Sequence, residues 1–162
     1  MDILSLVVGG SIGFLASIAK DWLLENKKQR LKKQEFQRDK LEEIYLLFEK
    51  WSTCFSTVYL DYLRCYRDRI PYDQVLENQL KESKLLLPGE AQKLQMLINI
   101  HFPNLTNEYF IVDNARSKVV TFFSDPQKNG LNANDFIRAQ EEFEKVSYDF
   151  KAKIIAQVQA FS

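Results

Sequence analysis

The sequence predicts an all-α protein: a single N-terminal transmembrane helix running into a long helix, followed by a small antiparallel helical bundle. Three observations carry that prediction. Ile3 to Ala19 holds no charged side chain. Leu41 to Cys65 places apolar or aromatic residues at alternating steps of three and four. No run alternates with period two, as a half-buried strand does.

The opening stretch, ILSLVVGGSIGFLASIA, is long enough as a helix to cross a thin or locally thinned hydrocarbon core. A helix is the expected form, because a lone segment in lipid must satisfy its own backbone hydrogen bonds. Two other readings stay open. Ser17-Ile18-Ala19 has the small-x-small form of a signal-peptide cleavage site, although no basic region precedes it. A buried helix of a soluble bundle is the other, since the stretch is at the short end of the spanning range.

Ser5, Gly9, Gly13 and Ser17 recur at every fourth position and form one groove on that helix. Small residues permit close helix approach in lipid, so self-association of the anchor is expected through these four. Lys20, Asp21 and Trp22 then place charge and an indole where a membrane–water boundary would fall.

Residues 20–40 carry eight basic side chains and four acidic ones, a balance of +4, against −3 for the remainder from 41 onward. The positive-inside rule therefore puts the C-terminal body in the cytoplasm, on a single-pass protein of the cell membrane. Lys20, Trp22, Lys27, Lys28, Arg30, Lys32 and Lys33 are the expected membrane-surface contacts, drawn to anionic headgroups. Nucleic acid is not an expected partner, because that requires a basic domain face. Three parts follow: a membrane anchor over 1–23, a basic helical neck over 24–40 and a cytoplasmic helical bundle over 41–162.

In the bundle, Leu41, Ile44, Phe48, Trp51, Phe55, Val58, Tyr62 and Cys65 make a heptad-like seam, widened by Tyr45, Leu47, Tyr59, Leu60, Leu63 and Tyr66. So broad a face suits a bundle core better than a two-stranded coiled coil. Pro71 ends this helix. Asp73 is a plausible cap for a helix over Gln74 to Lys84. Leu85-Leu86-Leu87 leads to Pro88-Gly89, and the next helix opens at Glu90 with Ala91, Leu94, Leu97, Ile98 and His101 on one side. Another starts near Thr106 with Tyr109, Val112, Val119 and Phe122 or Phe123 inward, and stops at Asp125-Pro126. The last opens at Asn132 or Asn134 and carries Phe136, Ala139, Phe143, Val146, Phe150, Ile154, Val158 and Phe161 at helical spacing.

Residues for chemistry are sparse. Asp125, Gln127, Asn129 and Gly130 imitate half of an EF-hand loop, but Phe136 stands where its closing glutamate belongs. Cys54 and Cys65 on one helix lie about 16 Å apart and cannot bridge. One histidine excludes a Cys/His zinc site within the chain. No Gly-rich phosphate loop, zinc-protease motif or nucleophile elbow occurs. No enzyme activity and no cofactor are expected.

Tyr45, Trp51, Tyr59, Tyr62 and Tyr66 are the feature that anchoring explains least. They read either as a docking face for a partner protein or as a core whose hydroxyls reach the rim. Arg64, Arg67 and Arg69 beside them suit phosphate or carboxylate, or simply the helix C-terminus. The overall plan resembles that of many bacterial inner-membrane proteins, a likeness of architecture that transfers no residue. The expected function is a membrane-tethered interaction or scaffold protein. It self-associates through its anchor and presents the bundle to an unidentified protein partner. A membrane-active effector that perturbs the bilayer on clustering, and a fully soluble bundle, are the alternatives.

Overall fold

The structure is a computed structural model that describes the backbone of residues 3–82 and 89–161, with side chains for 20–80, 89–128 and 130–161. The described residues form helices α1 (Ile3–Arg67), α2 (Tyr72–Glu82), α3 (Glu90–His101), α4 (Thr106–Val120), α5 (Pro126–Asn129) and α6 (Ala133–Gln159), with a 3-10 turn at Pro103–Leu105. No strand occurs among them, so the all-α expectation holds. Two compact units are present: Met1–Asp39 with Phe161, and Lys40–Ala160.

The transmembrane part of the expected fold is not reproduced: among the described residues, no helix is long and apolar enough to cross a membrane. The backbone of 3–19 belongs to α1. The side chains of that stretch, including Ser5, Gly9, Gly13 and Ser17, lie outside the described residues.

Within the Lys40–Ala160 unit the seam forms as its spacing predicts. Leu41, Ile44 and Phe48 are fully buried, and Tyr59, Tyr62, Leu63 and Cys65 are nearly so. Leu46 and Leu60 fall on the outer side and are exposed. The helix stops short of Pro71. Its last turn closes with Asp68 N donating to Arg64 O at 2.8 Å, and Arg69 adopts a left-handed φ of 57°. Arg64 and Arg67 in that turn complement the helix dipole.

Contacts along α1 give the direction of every later helix. Tyr62 meets the Tyr72 ring, Asp61 accepts from Gln79 of α2, and Lys50 pairs with Glu90 of α3 at 2.8 Å. Partner numbers rise as α1 numbers fall, so α2 and α3 run back along α1 one after the other. Tyr109 lies beside Trp51, and Phe123, just past α4, beside Tyr62, so α4 runs parallel to α1. Phe136, Phe143 and Phe150 of α6 meet Tyr66, Phe55 and Phe48 in turn, so α6 returns antiparallel. The result is an up-down-up-down four-helix bundle whose second leg is made in two pieces.

Several local starts differ from the sequence expectation by one or two residues. Helix α2 begins at Tyr72, which puts Asp73 in its first turn and not at its cap. Thr106 is the first residue of α4, its hydroxyl donating to the Asn99 side chain at 3.3 Å. The Asp125–Gly130 segment, whose residues imitate half of an EF-hand loop, contains the short helix α5. The Asp125 carboxylate accepts from Gln127 N at 3.0 Å, and Gly130 closes the helix at a φ of 68°. Asn132 caps α6, accepting from Asp135 N at 2.9 Å.

Phe143 sits where three α1 rings converge. Its centroid is 4.9 Å from Phe55, 6.1 Å from Trp51 and 6.2 Å from Tyr59, all close to edge-to-face. Such pairs add to the transfer free energy of a fully buried Phe. Phe143→Ala is therefore expected to cost about 3–5 kcal/mol in urea denaturation followed by circular dichroism. Phe110→Ala, at a residue 59% exposed, should stay within about 0.5 kcal/mol. Equal losses would mean that the α1–α6 ring layer does not hold the bundle.

Candidate functional site

The three groups of residues singled out from sequence meet different fates. Lys20, Trp22, Lys27, Lys28, Arg30, Lys32 and Lys33 are all exposed. Trp22, Leu23 and Leu24 are 65%, 61% and 55% exposed, a run of apolar surface next to charge. At 100° per residue the basic side chains point all round the helix and not to one face. Leu24 and Leu31, seven residues apart, share one side with Lys20, Lys27 and Lys28.

The aromatic group is brought together, but inward. Tyr59 and Tyr62 are buried. Trp51 lies against Phe48, Phe55, Tyr109 and Phe143, and Tyr66 packs edge-on against Phe122 and Phe136. Their ring contacts are with this chain's own helices. Tyr45 differs: it lines an open, mostly apolar groove of about 440 Å³ between α1 and α6, with Leu46, Ile154, Ile155 and Val158.

The polar ends of these rings are handled one by one. Tyr59 donates to a Glu144 carboxylate oxygen at 2.5 Å, and Tyr66 donates to the Ser124 carbonyl at 3.4 Å. Further along the α1–α6 seam the Lys151–Glu49 ion pair, at 2.8 Å, bridges the two helices. Beyond it Ser52, Ser56 and Ser147 line a more polar hollow. Ser52 donates to Glu49 O, whereas the Ser147 hydroxyl is buried and without a partner. Ser147 escaped the sequence reading, although its position four residues after Phe143 and three before Phe150 places it on the core face.

Electrostatic shifts follow burial and pairing. Burial, then the bond to Glu144, pushes the Tyr59 phenol up to about 12. Burial also raises Tyr62 and Tyr109. Hydrogen bonds from lysines lower two carboxyls, Glu108 through Lys153, and Glu43 through Lys40 and Lys93. Cys54 and Cys65 are free thiols, both raised chiefly by burial, so neither is an activated nucleophile. No group of three or more metal-ligating side chains occurs among the described residues.

The folded state favours neutral Tyr59, so its contribution to stability is complete below the ordinary tyrosine value near 10 and is lost as pH rises through about 12. Urea midpoints should fall steeply across that window. Tyr59→Phe should flatten the slope by about one proton, leaving the part due to Tyr62 and Tyr109. An unchanged slope would show that the Tyr59 phenol is not held neutral by the fold.

No family model, no curated protein and no solved structure matches this chain.

Proposed function

We propose that the chain is a membrane-tethered helical interaction module. In this reading the uncharged stretch Ile3–Ala19 holds it in a bilayer, and Lys20–Lys33 crosses the headgroup layer. The Lys40–Ala160 bundle is then displayed on the cytoplasmic side to a protein partner. The single observation that carries this reading is the exposure of Trp22, Leu23 and Leu24 among exposed lysines, two residues past a stretch of seventeen without a charge. An indole and leucines at that position are costly in water and favoured at a headgroup boundary. The basic residues support the same placement. A helix lying flat on a membrane gathers its cations on one face, whereas one passing upright through the headgroups can use them all round.

The bundle supports the second half of the reading. Its described buried apolar residues all fall between Leu41 and Ile154, so it has a core of its own to present as a folded body. The groove beside Tyr45 and Leu46 is its best surface for an apolar helix of a partner. Self-association through Ser5, Gly9, Gly13 and Ser17 would multiply weak contacts made by the bundles, by raising their effective concentration.

The test is fractionation of cells expressing the full chain. The wild type should pellet with membranes and resist alkaline carbonate. The Ile12→Asp/Phe14→Asp variant should move to the supernatant, since each aspartate near the centre of a span costs about 2.5–3.5 kcal/mol. Gly9→Ile with Gly13→Ile should leave the protein in the membrane but reduce the mass of the detergent-solubilised particle. Wild-type protein that stays in the supernatant without detergent would sink the tether and leave a bundle with no lipid partner.

A further inference from the structure

The turn that ends α1 and the turn that opens α5 enclose a cavity of about 520 Å³ at the end of the bundle remote from Lys40. Its size falls within the range of small-molecule sites. Tyr66, Arg69, Tyr72, Asp125 and Gln127 supply its polar lining, with Ile70, Pro71 and Pro126 giving flat apolar walls.

The three arginines at the end of α1 are not equivalent. Arg64 pairs with Asp61 at 3.2 Å, and Arg67 makes a two-pronged contact with Asp68 at 2.8 and 3.0 Å. Arg69 pairs with no carboxylate among the described residues, and it is the one of the three that lines the cavity. The nearest acid in the lining, Asp125, is already engaged: it accepts from Gln127 N at 3.0 Å and lies 3.5 Å from Lys128. The unmatched charge in the cavity is therefore positive. Arg69 is also held at a φ of 57°, a conformation that glycine adopts at far lower cost. An arginine there carries a backbone cost that a glycine would not.

We propose that this cavity binds a small ligand bearing a carboxylate or phosphate on a flat, partly apolar body. The Arg69 guanidinium takes the oxyanion through two parallel N–H···O bonds, which a planar fork does better than an ammonium. The body lies against Pro71, Pro126 and the tyrosine rings, where a ring loses apolar surface to protein. A ligand so placed touches both the α1–α2 turn and the start of α5, so it ties together two connections that the chain joins only through α2, α3 and α4. This inference does not depend on a membrane tether.

Full-length protein in detergent micelles is titrated with phenyl phosphate and with benzoate, using inorganic phosphate as the probe without a ring. Melting temperature and tyrosine fluorescence are the readouts. The expected result is saturable binding of at least one ring-bearing anion, with inorganic phosphate much weaker. Which of the two binds tells a phosphate ligand from a carboxylate one. Arg69→Gly keeps the left-handed turn without the guanidinium. It should melt no lower than wild type in the absence of ligand, yet bind about tenfold more weakly or worse. Arg69→Lys should fall between. The proposal is overturned if neither ring-bearing anion binds the wild type, if Arg69→Gly binds equally well, or if inorganic phosphate binds as tightly as phenyl phosphate.

Discussion

The bundle depends on one layer of aromatic rings between α1 and α6. Phe48, Trp51, Phe55 and Tyr59 on one helix meet Phe143 and Phe150 on the other, and Tyr109 and Phe123 reach the same layer from the α4 side. Rings of this width set the distance between helix axes, because side chains at the contact decide how closely two helices approach. They also resist rearrangement. An edge-to-face ring moved by one helical turn loses both its buried area and its favourable quadrupole contact.

Charge pairs surround that layer without supplying much energy. Lys50–Glu90, Lys151–Glu49, Lys118–Glu142 and Lys153–Glu108 link neighbouring helices, each with at least one partner substantially exposed. Pairs of this kind contribute about 0–1 kcal/mol. Their larger effect is on register: a slip of one turn between α4 and α6 breaks both the Lys118 and the Lys153 pairs together. The rings make the bundle stable and hold its alignment, and the ion pairs add a smaller preference for the same register.

Tyrosine serves both purposes. Tyr59 buries its ring in the layer and turns its hydroxyl to Glu144. Tyr66 does the same at the far end, with Ser124 as acceptor. The core can thus hold a tyrosine where its hydroxyl ends at a rim with an acceptor, as at Tyr59 and Tyr66. Ser147, on the same face of α6, has none. That leaves one unsatisfied hydroxyl in the hollow it shares with Ser52 and Ser56.

Periodicity was enough to read the longer helices and most of their inward faces, though not the four-residue α5. Leu41, Ile44, Phe48, Tyr62 and Cys65, Leu94 with Leu97 and Ile98, and Phe136, Phe143, Phe150 and Ile154 follow the 3.6-residue repeat and are buried as it requires, whereas Trp51, Phe55 and Val58 are half-buried and Leu60 faces out. Proline and asparagine marked the end of α1 and the start of α6 because their effects are local, on φ and on unpaired N–H groups. Tertiary structure decided what local rules leave open. Trp51, Tyr59, Tyr62 and Tyr66 suit a partner face or a core equally well by composition, and only the arrival of α4 and α6 turns them inward. The partners of Arg64 and Arg67 are local, Asp61 one turn back and Asp68 next in the chain. Only the fold brings Arg69 to a cavity shared with Asp125 and Pro126, because those residues lie more than fifty positions away in the chain.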